Sequence, residues 1–317
     1  MPFYSYFYRK IFFSLDLKKN LICIVGPTAV GKTNLCLKLA KNFQTVILSS
    51  DSRQFYRELE LGTAKPSALE LQLIPHYFIN SISIFDPYDV KQFEREALAL
   101  LSELFREHDC AIVTGGSGLF VDVLAHGIDE LPPIPKNIRK SLDLRFENEG
   151  LATLQEQLAK LDPDYHEVVD LKNPQRLIRA LEVCLATGQP YSSFRSKKKI
   201  QRPFRILWVG LNRDRAELYQ RIDQRMEEMI EKGLFEEARK LYPYRDLNAL
   251  QTVGYTEIFG YLEAQYDKEE AIRLLKRNSR RYAKRQLTWF RKNPEIKWFH
   301  PDQYEEILSY LKDQMGV

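Results

Sequence analysis

The sequence predicts an α/β protein in which a parallel sheet is flanked by helices and an all-helical stretch is inserted part-way along the chain. Three observations predict it. An apolar run, Leu21 to Val25, leads through glycines straight into a segment with apolar residues at helical spacing. Two further buried-strand candidates follow, with a helical pattern before the second. The texture then turns helical for some seventy residues before one more apolar strand resumes the sheet. Strands that alternate with helices need crossover connections, and crossovers make a parallel sheet.

The first strand is LICIV, and it runs into GPTAVGKT and then the helical NLCLKLAKNF. Glycine, four residues, then Gly31, Lys32 and Thr33 is the phosphate-loop (P-loop) pattern, here in the strand-loop-helix context that it requires. The loop works by geometry. Glycines let successive backbone N–H groups point into one concavity, the helix N-terminus adds partial positive charge, and Lys32 adds a full one. Gly26, Pro27, Thr28, Ala29, Val30, Gly31, Lys32 and Thr33 are the expected cradle, with Mg2+ as cofactor and the Thr33 hydroxyl as its ligand.

TVILSSD, Thr45 to Asp51, is the second strand, and it leaves Asp51 and Ser52 at the carboxyl edge, where open α/β sheets bind ligands. CAIVTGGSG, Cys110 to Gly118, is the third, entering a glycine turn after the helical VKQFEREALALLSELFREHD. From about Leu124 to Lys199 proline and glycine punctuate helices with no convincing strand. The sheet resumes at FRILWVGL, Phe204 to Leu211, and everything from Asn212 onward reads as helical. The expected divisions are therefore an extension over 1–19, a core over 20–123 and 200–317, and a helical insertion over 124–199. The charged RSKKKI before the resumed strand is either a solvated linker or an RNA-facing loop.

In the last third, the segment from Lys268 to Lys292 places Ile272, Leu275, Ser279, Tyr282 and Phe290 along one side of a helix. Arg273, Arg277, Arg280, Arg281, Lys284 and Arg291 cover much of the remainder. Few acids interrupt it after Glu270. A solvated face usually mixes both signs, so this run points to an anionic polymer.

Composition bounds the class. A chain of 317 residues can bury a substantial core, in one large domain or two smaller ones. Hydrophobic residues at 44% and charged residues at 28% are those of a globular protein, and no apolar stretch is long enough to span a bilayer, so no membrane partner is expected. The net charge of +4 is a weak hint of an anionic partner. Cys23, Cys36, Cys110 and Cys184 form no CxxC pair, and the histidines no HxxxH. They read as reduced core residues, and a cytoplasmic monomer is the expectation. The first eighteen residues lack the apolar core and small-residue cleavage site of a signal peptide.

A nucleotide-hydrolysing P-loop protein normally carries a second strand ending in an acid that helps to hold magnesium. AIVTGGSG ends in Thr114 and two glycines instead. Asp51 could substitute, which keeps a small-molecule or nucleoside kinase open.

Eight motifs in order, GPTAVGKT, SSDSRQFY, LGTAKPS, PHYFI, VTGGSGLF, NPQRLIRALEV, QTVGYTEI and RRYAKRQLTWFR, cover nearly everything from Leu21 to Lys292. In these the chain resembles the tRNA dimethylallyltransferase (tRNA isopentenyltransferase) family. Those enzymes attach a five-carbon isoprenoid to the exocyclic N6 amine of the adenine just 3′ of certain anticodons. The resemblance implies dimethylallyl diphosphate as donor, with its diphosphate in the loop, and a tRNA anticodon stem-loop as acceptor, gripped by the helical insertion. Lys32, Thr33 with magnesium, and Arg221 of LYQRIDQRM would stabilise the departing diphosphate. Arg221 reads equally well as one half of a surface ion pair.

Asp51 would take the amine proton, within a segment Asp51, Ser52, Arg53 and Gln54 that meets the adenine. Gln175, Arg176, Leu177, Ile178 and Arg179 look like tRNA contacts. So do Gln251, Thr252, Val253, Gly254, Tyr255 and Thr256, joined by Ser117 and Arg139. Arg277, Arg281 and Lys284 would hold the RNA backbone. Structural roles compete: Leu177 and Ile178 are packing residues by pattern, Gly254 can serve a turn, and Arg179 can pair with Glu182 at helical spacing. Ser117 stands where threonine is common, Phe120 where tyrosine is, and Tyr77 in place of a second histidine after Pro75. An isopentenyltransferase acting on free adenine nucleotide, and a nucleotide-gated RNA-binding module, are the other readings. A mononucleotide needs neither the insertion nor the basic helix.

Overall fold

The computed structural model describes residues 19–195 and 200–317, in two units: one up to His126 and again from Gln201, the other Gly127–Ile200. The first eighteen residues and most of the RSKKKI segment lie outside the described residues.

In the first unit, β1 (Asn20–Val25) is buried at every position and leads into α1 (Lys32–Asn42), which buries Leu35, Cys36, Leu39 and Ala40. β2 (Ile47–Ser49), α2 (Ala68–Leu73), β3 (His76–Tyr77) and α3 (Val90–Leu104) follow. Ser67 starts α2 in a full capping box with Glu70, and the Asp89 side chain caps α3. β4 (Cys110–Gly115) then feeds α4 (Gly118–His126).

The second unit is helical: α5 (Lys136–Glu149), α6 (Leu151–Leu161), α7 (Pro163–Val168) and α8 (Pro174–Thr187). Its helix ends follow the local chemistry. Asn173 caps α8 with proline at its first position, and Gly188 closes it in the left-handed region at φ 69°. Leu142, Leu154, Leu158, Leu177, Ile178 and Leu181 form its core.

The chain returns to the first unit with β5 (Arg205–Leu211), α9 (Arg215–Glu231), α10 (Leu234–Leu241), α11 (Thr256–Leu262) and the long α12 (Lys268–Phe290). β6 (Lys297–Phe299) and α13 (Tyr304–Met315) complete it.

All six strands are parallel, in the order β3-β2-β4-β1-β5-β6. β1 lies between β4 and β5, with Val25 level with Gly115 on one side and Gly210 on the other. Alternate β1 residues go to opposite faces: Leu21, Cys23 and Val25 pack into one core and Ile22 and Ile24 into another. A strand covered on both faces reads as a continuous apolar run, as LICIV does. This register brings the phosphate loop, Ser50–Asp51, Gly116–Ser117 and Asn212–Arg213 to one carboxyl edge.

The α/β architecture is the expected one, with three differences of detail. β3 and β6 were not anticipated, and β6 lies in the stretch read as wholly helical; edge strands of two and three residues are too short to show a period. β2 takes only the middle of the Thr45–Asp51 run. α4 continues past Leu124 to His126, so the units divide at 126/127 and 200/201.

Asp162 illustrates how the helical unit is held. Wholly buried, it accepts from the backbone N–H of Tyr165 at 3.0 Å, that of Ser192 at 2.7 Å and the Ser192 hydroxyl at 2.7 Å. Asp162→Ala strands these donors, so the helical unit should lose about 2 to 4 kcal/mol, read by chemical denaturation followed through its tyrosines.

Candidate active site

The phosphate loop is pressed tightly against β5. A Cβ at Gly26, whose φ is 147°, would stand 2.6 Å from the Leu211 carbonyl oxygen, so only glycine fits there. Gly31, at φ 114°, hands the chain to α1. The Lys32 ammonium folds back over the loop, donating to the carbonyls of Gly26 at 2.9 Å and Pro27 at 2.8 Å. Burial lowers its pKa to about 8, opposed by Asp51 and reinforced by Arg225. Thr33 is exposed in the first turn of α1, its hydroxyl at the helix N-terminus.

Three arginines bond three successive loop residues. Arg225 donates to the Thr28 hydroxyl, Arg221 Nε to the Ala29 carbonyl at 2.9 Å, and Arg213 Nε to the Val30 carbonyl at 2.9 Å. Arg221 and Arg225 are four apart on α9 and share a face. Sequence reading had found Arg221 alone.

Asp51 sits directly beyond β2. Its carboxylate accepts from the Arg53 N–H at 3.1 Å, closing a local turn, and its charge acts on Lys32, Arg225 and Tyr282. The next residue is tied to the β4 turn: Ser52 N–H donates to Ser117 Oγ at 3.1 Å, and the two hydroxyls lie 3.2 Å apart. Gln54 is fully engaged, accepting from Ser49 Oγ at 3.0 Å and donating to the Thr63 and Ala64 carbonyls at 3.3 Å.

Two α12 residues complete the site that sequence reasoning did not place in it. Gln286, 5% exposed, accepts from the Thr28 N–H at 2.8 Å and donates to the Gly116 carbonyl at 3.0 Å. A Cβ at Gly116 would fall 2.0 Å from the Gln286 amide nitrogen, which explains that glycine. Tyr282 is pushed up to about 12 by burial and then by Asp51, against hydrogen bonds with Ser117 and Gln286. Polar residues recurring on the buried side of α12, Ser279 and Gln286, were the available signal.

The loop, Asp51, Gln54, His76, Arg221 and Arg225 line a cleft of about 410 Å³. A second cavity of about 350 Å³ is lined by Ser52, Arg53, Gln251, Thr252, Val253, Thr256, Tyr282 and Arg285. Adjacent residues, Asp51 and Ser52, thus line different cavities.

Of the remaining RNA-contact candidates, the structure brings some to a surface and buries others. Gln251 and Thr256 are exposed beside Ser52, whereas Gly254 and Tyr255 are buried. Gly254 takes a φ of 107° for a turn, and Tyr255 donates to Glu237 at 2.7 Å, so both are corrected to structural roles. Leu177 and Ile178 are likewise corrected: they are buried at 0% and 1% exposure and pack the helical unit. There Arg139 and Arg179 converge on the buried Glu182, at 3.6 and 3.2 Å, and Arg139 also bonds Gln175. Arg176 is exposed.

The acids that pair with α12 cations come from α9 and from the first turn of α12 itself. Arg280 pairs with Asp223, Lys276 with Glu227 and Arg273 with Glu270. Arg277 bonds Asn278. Arg281, Lys284, Arg285 and Arg291 are exposed and form no ion pair among the described residues.

No group of three His, Cys, Asp or Glu among the described residues could hold a metal ion. The side-chain donor that would suit a divalent ion carried on a phosphorylated ligand is the exposed hydroxyl of Thr33 in the first turn of α1.

A phosphate loop at the carboxyl edge of a parallel sheet, with a carboxylate facing its cations, defines the chain as a P-loop-type α/β protein built to handle a phosphorylated group. A family model described as IPP transferase matches residues 54–293. The chain is 52% identical over 299 residues to the tRNA dimethylallyltransferase of Cytophaga hutchinsonii, covering 94% of this chain and 98% of that one. It is 50% identical over 294 residues to tRNA dimethylallyltransferase 1 of Bacteroides fragilis, covering 93% and 98%. Among solved structures, the full-length tRNA isopentenylpyrophosphate transferase of Bacillus halodurans superposes with a TM-score of 0.70 at 36% identity, covering 94% and 97%. The chain belongs to the IPP transferase family.

Gln286→Leu would leave the Thr28 N–H and the Gly116 carbonyl without their partner. Stability should fall by about 2 kcal/mol or more, measured by denaturant titration, with Gln286→Glu intermediate because it keeps the acceptor for Thr28.

Proposed function

We propose that this protein transfers the dimethylallyl group of dimethylallyl diphosphate to the N6 amine of the adenine 3′-adjacent to the anticodon in tRNA, releasing diphosphate with magnesium as cofactor. One observation carries the reading: Asp51 lines the cleft that the phosphate loop shares with Lys32, Arg221 and Arg225, and the next residue, Ser52, lines a second cavity with Arg53 and Tyr282. Family membership and the names of its relatives support the same substrates.

The chemistry follows from the placement. The amine lone pair is delocalised into the adenine ring, so it is a poor nucleophile. Asp51 accepts its N–H, localises density on nitrogen and takes the proton as the C–N bond forms. The allylic C–O bond breaks, and its electron pair leaves on the diphosphate. Lys32, Arg221 and the loop N–H groups stabilise that growing charge most in the transition state. Magnesium bound to Thr33 would neutralise further charge on the same oxygens. The target base must leave its stack to reach Asp51, which gives the exposed Gln251 and Thr256 and the half-buried Thr252, with Ser52, Arg53 and Ser117, a role in holding it. Exposed Arg281 and Lys284 suit the RNA backbone, and Arg139, Gln175, Arg176 and Arg179 form the polar face of the helical unit for the same partner.

Incubating purified protein with unmodified tRNA, magnesium and dimethylallyl diphosphate should add one dimethylallyl group to the tRNA by mass. A phosphorylated product that requires ATP would overturn the proposal in favour of a kinase. Asp51→Asn can still accept a hydrogen bond but is a far weaker base. Single-turnover transfer should fall by roughly 10² to 10⁴ with donor and tRNA affinity little changed. Collapse of donor affinity would instead make Asp51 a magnesium-organising residue.

Lys32 adds a pH dependence. An ammonium lowered to about 8 is charged below that pH and neutral above it, so kcat/KM for the donor should decline as pH rises through about 8. Lys32→Arg, which stays protonated, should remove that decline even where it lowers the plateau.

A further inference from the structure

We propose that Arg225 is a second arginine ligand of the leaving diphosphate, beside Arg221, while Arg213, the third arginine on the loop, serves only to shape it. The proposal rests on the reading of the donor as a diphosphate ester.

The three arginines look alike in sequence and differ in what their donors meet. Arg213, with its side chain 8% exposed, gives Nε to Val30, bonds Glu217, and reaches Asp302 at 3.2 Å and His300 Nε2 at 3.5 Å. Two carboxylates neutralise it. A guanidinium so paired has its charge and most of its five N–H groups spent inside the protein. Pro301 of the same turn packs behind the loop, 3.4 Å from where a Cβ on Gly31 would be. Arg213 is therefore a strut.

Arg225 is in the opposite condition. It makes one hydrogen bond, to the Thr28 hydroxyl, and forms no ion pair among the described residues. Its side chain nevertheless lines the cleft with Lys32 and Thr33, one α9 turn from Arg221. Burial works against its charge, and Asp51 and Glu228 act on it only at a distance. A desolvated cation without a contacting carboxylate is costly to keep. An anion entering the cleft removes that cost, and the fork of N–H groups left free beyond Thr28 suits a phosphoryl oxygen pair. As the allylic C–O bond breaks, its electron pair passes to the departing oxygen, where Arg225 meets the new negative charge. The amine nitrogen meanwhile bonds the carbon and yields its proton to Asp51.

The test measures inorganic diphosphate binding to the full chain with magnesium by calorimetry, for wild type, Arg225→Gln and Arg225→Lys. Thermal stability, tRNA affinity and single-turnover transfer are read on the same proteins. Arg225→Gln should weaken diphosphate binding roughly 10- to 100-fold and slow transfer by about 10² or more, with tRNA affinity unchanged and partial recovery in Arg225→Lys. Diphosphate affinity within about twofold of wild type would overturn the proposal, whatever the change in melting temperature or rate. The two readings separate cleanly. Arg225-dependent diphosphate binding without transfer to tRNA would sink the proposed function and leave this site standing; transfer with diphosphate affinity indifferent to Arg225 would do the reverse.

Discussion

One side-chain amide holds the two halves of the site together. Gln286 accepts from the phosphate loop at Thr28 and donates to the β4 turn at Gly116, so both segments are positioned from one rigid helix. The β4 turn in turn fixes Ser52 through Ser117, which sets where Asp51 stands relative to the loop. Loops alone would leave this spacing soft. A buried amide with both its groups engaged makes any drift cost an unpaired polar group, about 1 to 3 kcal/mol each. The glycine at 116 belongs to the same constraint, because a side chain there would occupy the amide's position.

The cations around the loop are arranged by how far each is neutralised. Arg213 is fully paired and structural, Arg280 is paired to Asp223 and ties α12 to α9, and Lys32 and Arg225 are half-buried with no carboxylate in contact among the described residues. Burying charge without a partner is unfavourable, and sites that do so are commonly the functional ones. Stability here is offset against readiness to bind an anion. The cost is tolerable because Asp51 supplies opposite charge from across the cleft without touching either cation.

Much of this was legible in the sequence, and the reasons are local. LICIV followed by GPTAVGKT joins a buried parallel strand to a loop whose spacing is dictated by phosphate geometry, so both the fold class and the place of the phosphate loop could be read from eighteen residues or so of context. Asp51 was readable as lying at the carboxyl edge of the sheet, although β2 ends two residues before it. The three-residue β6 was not, because no period shows in so short a run and an edge strand depends on its neighbour β5 for pairing. Leu177, Ile178 and Tyr255 were drawn toward the RNA by the motifs they sit in, while burial gives them to the cores.

The basic helix marks where composition misleads. Read alone, α12 offers a nearly unbroken row of positive charge, yet a helix is judged by the faces its neighbours cover. α9 lies along one of them and contributes Asp223 and Glu227, so Arg280 and Lys276 become internal ties. Another face carries Tyr282 and Gln286 into the site. What remains for a partner is the strip with Arg281, Lys284, Arg285 and Arg291, exposed and without ion pairs among the described residues. The same helix thus bonds the phosphate loop through one side chain and leaves cations to solvent one turn away. An RNA held by that strip would have its path tied mechanically to the phosphate loop, since α12 cannot shift without moving Gln286, and Gln286 cannot move without releasing Thr28 and Gly116 together.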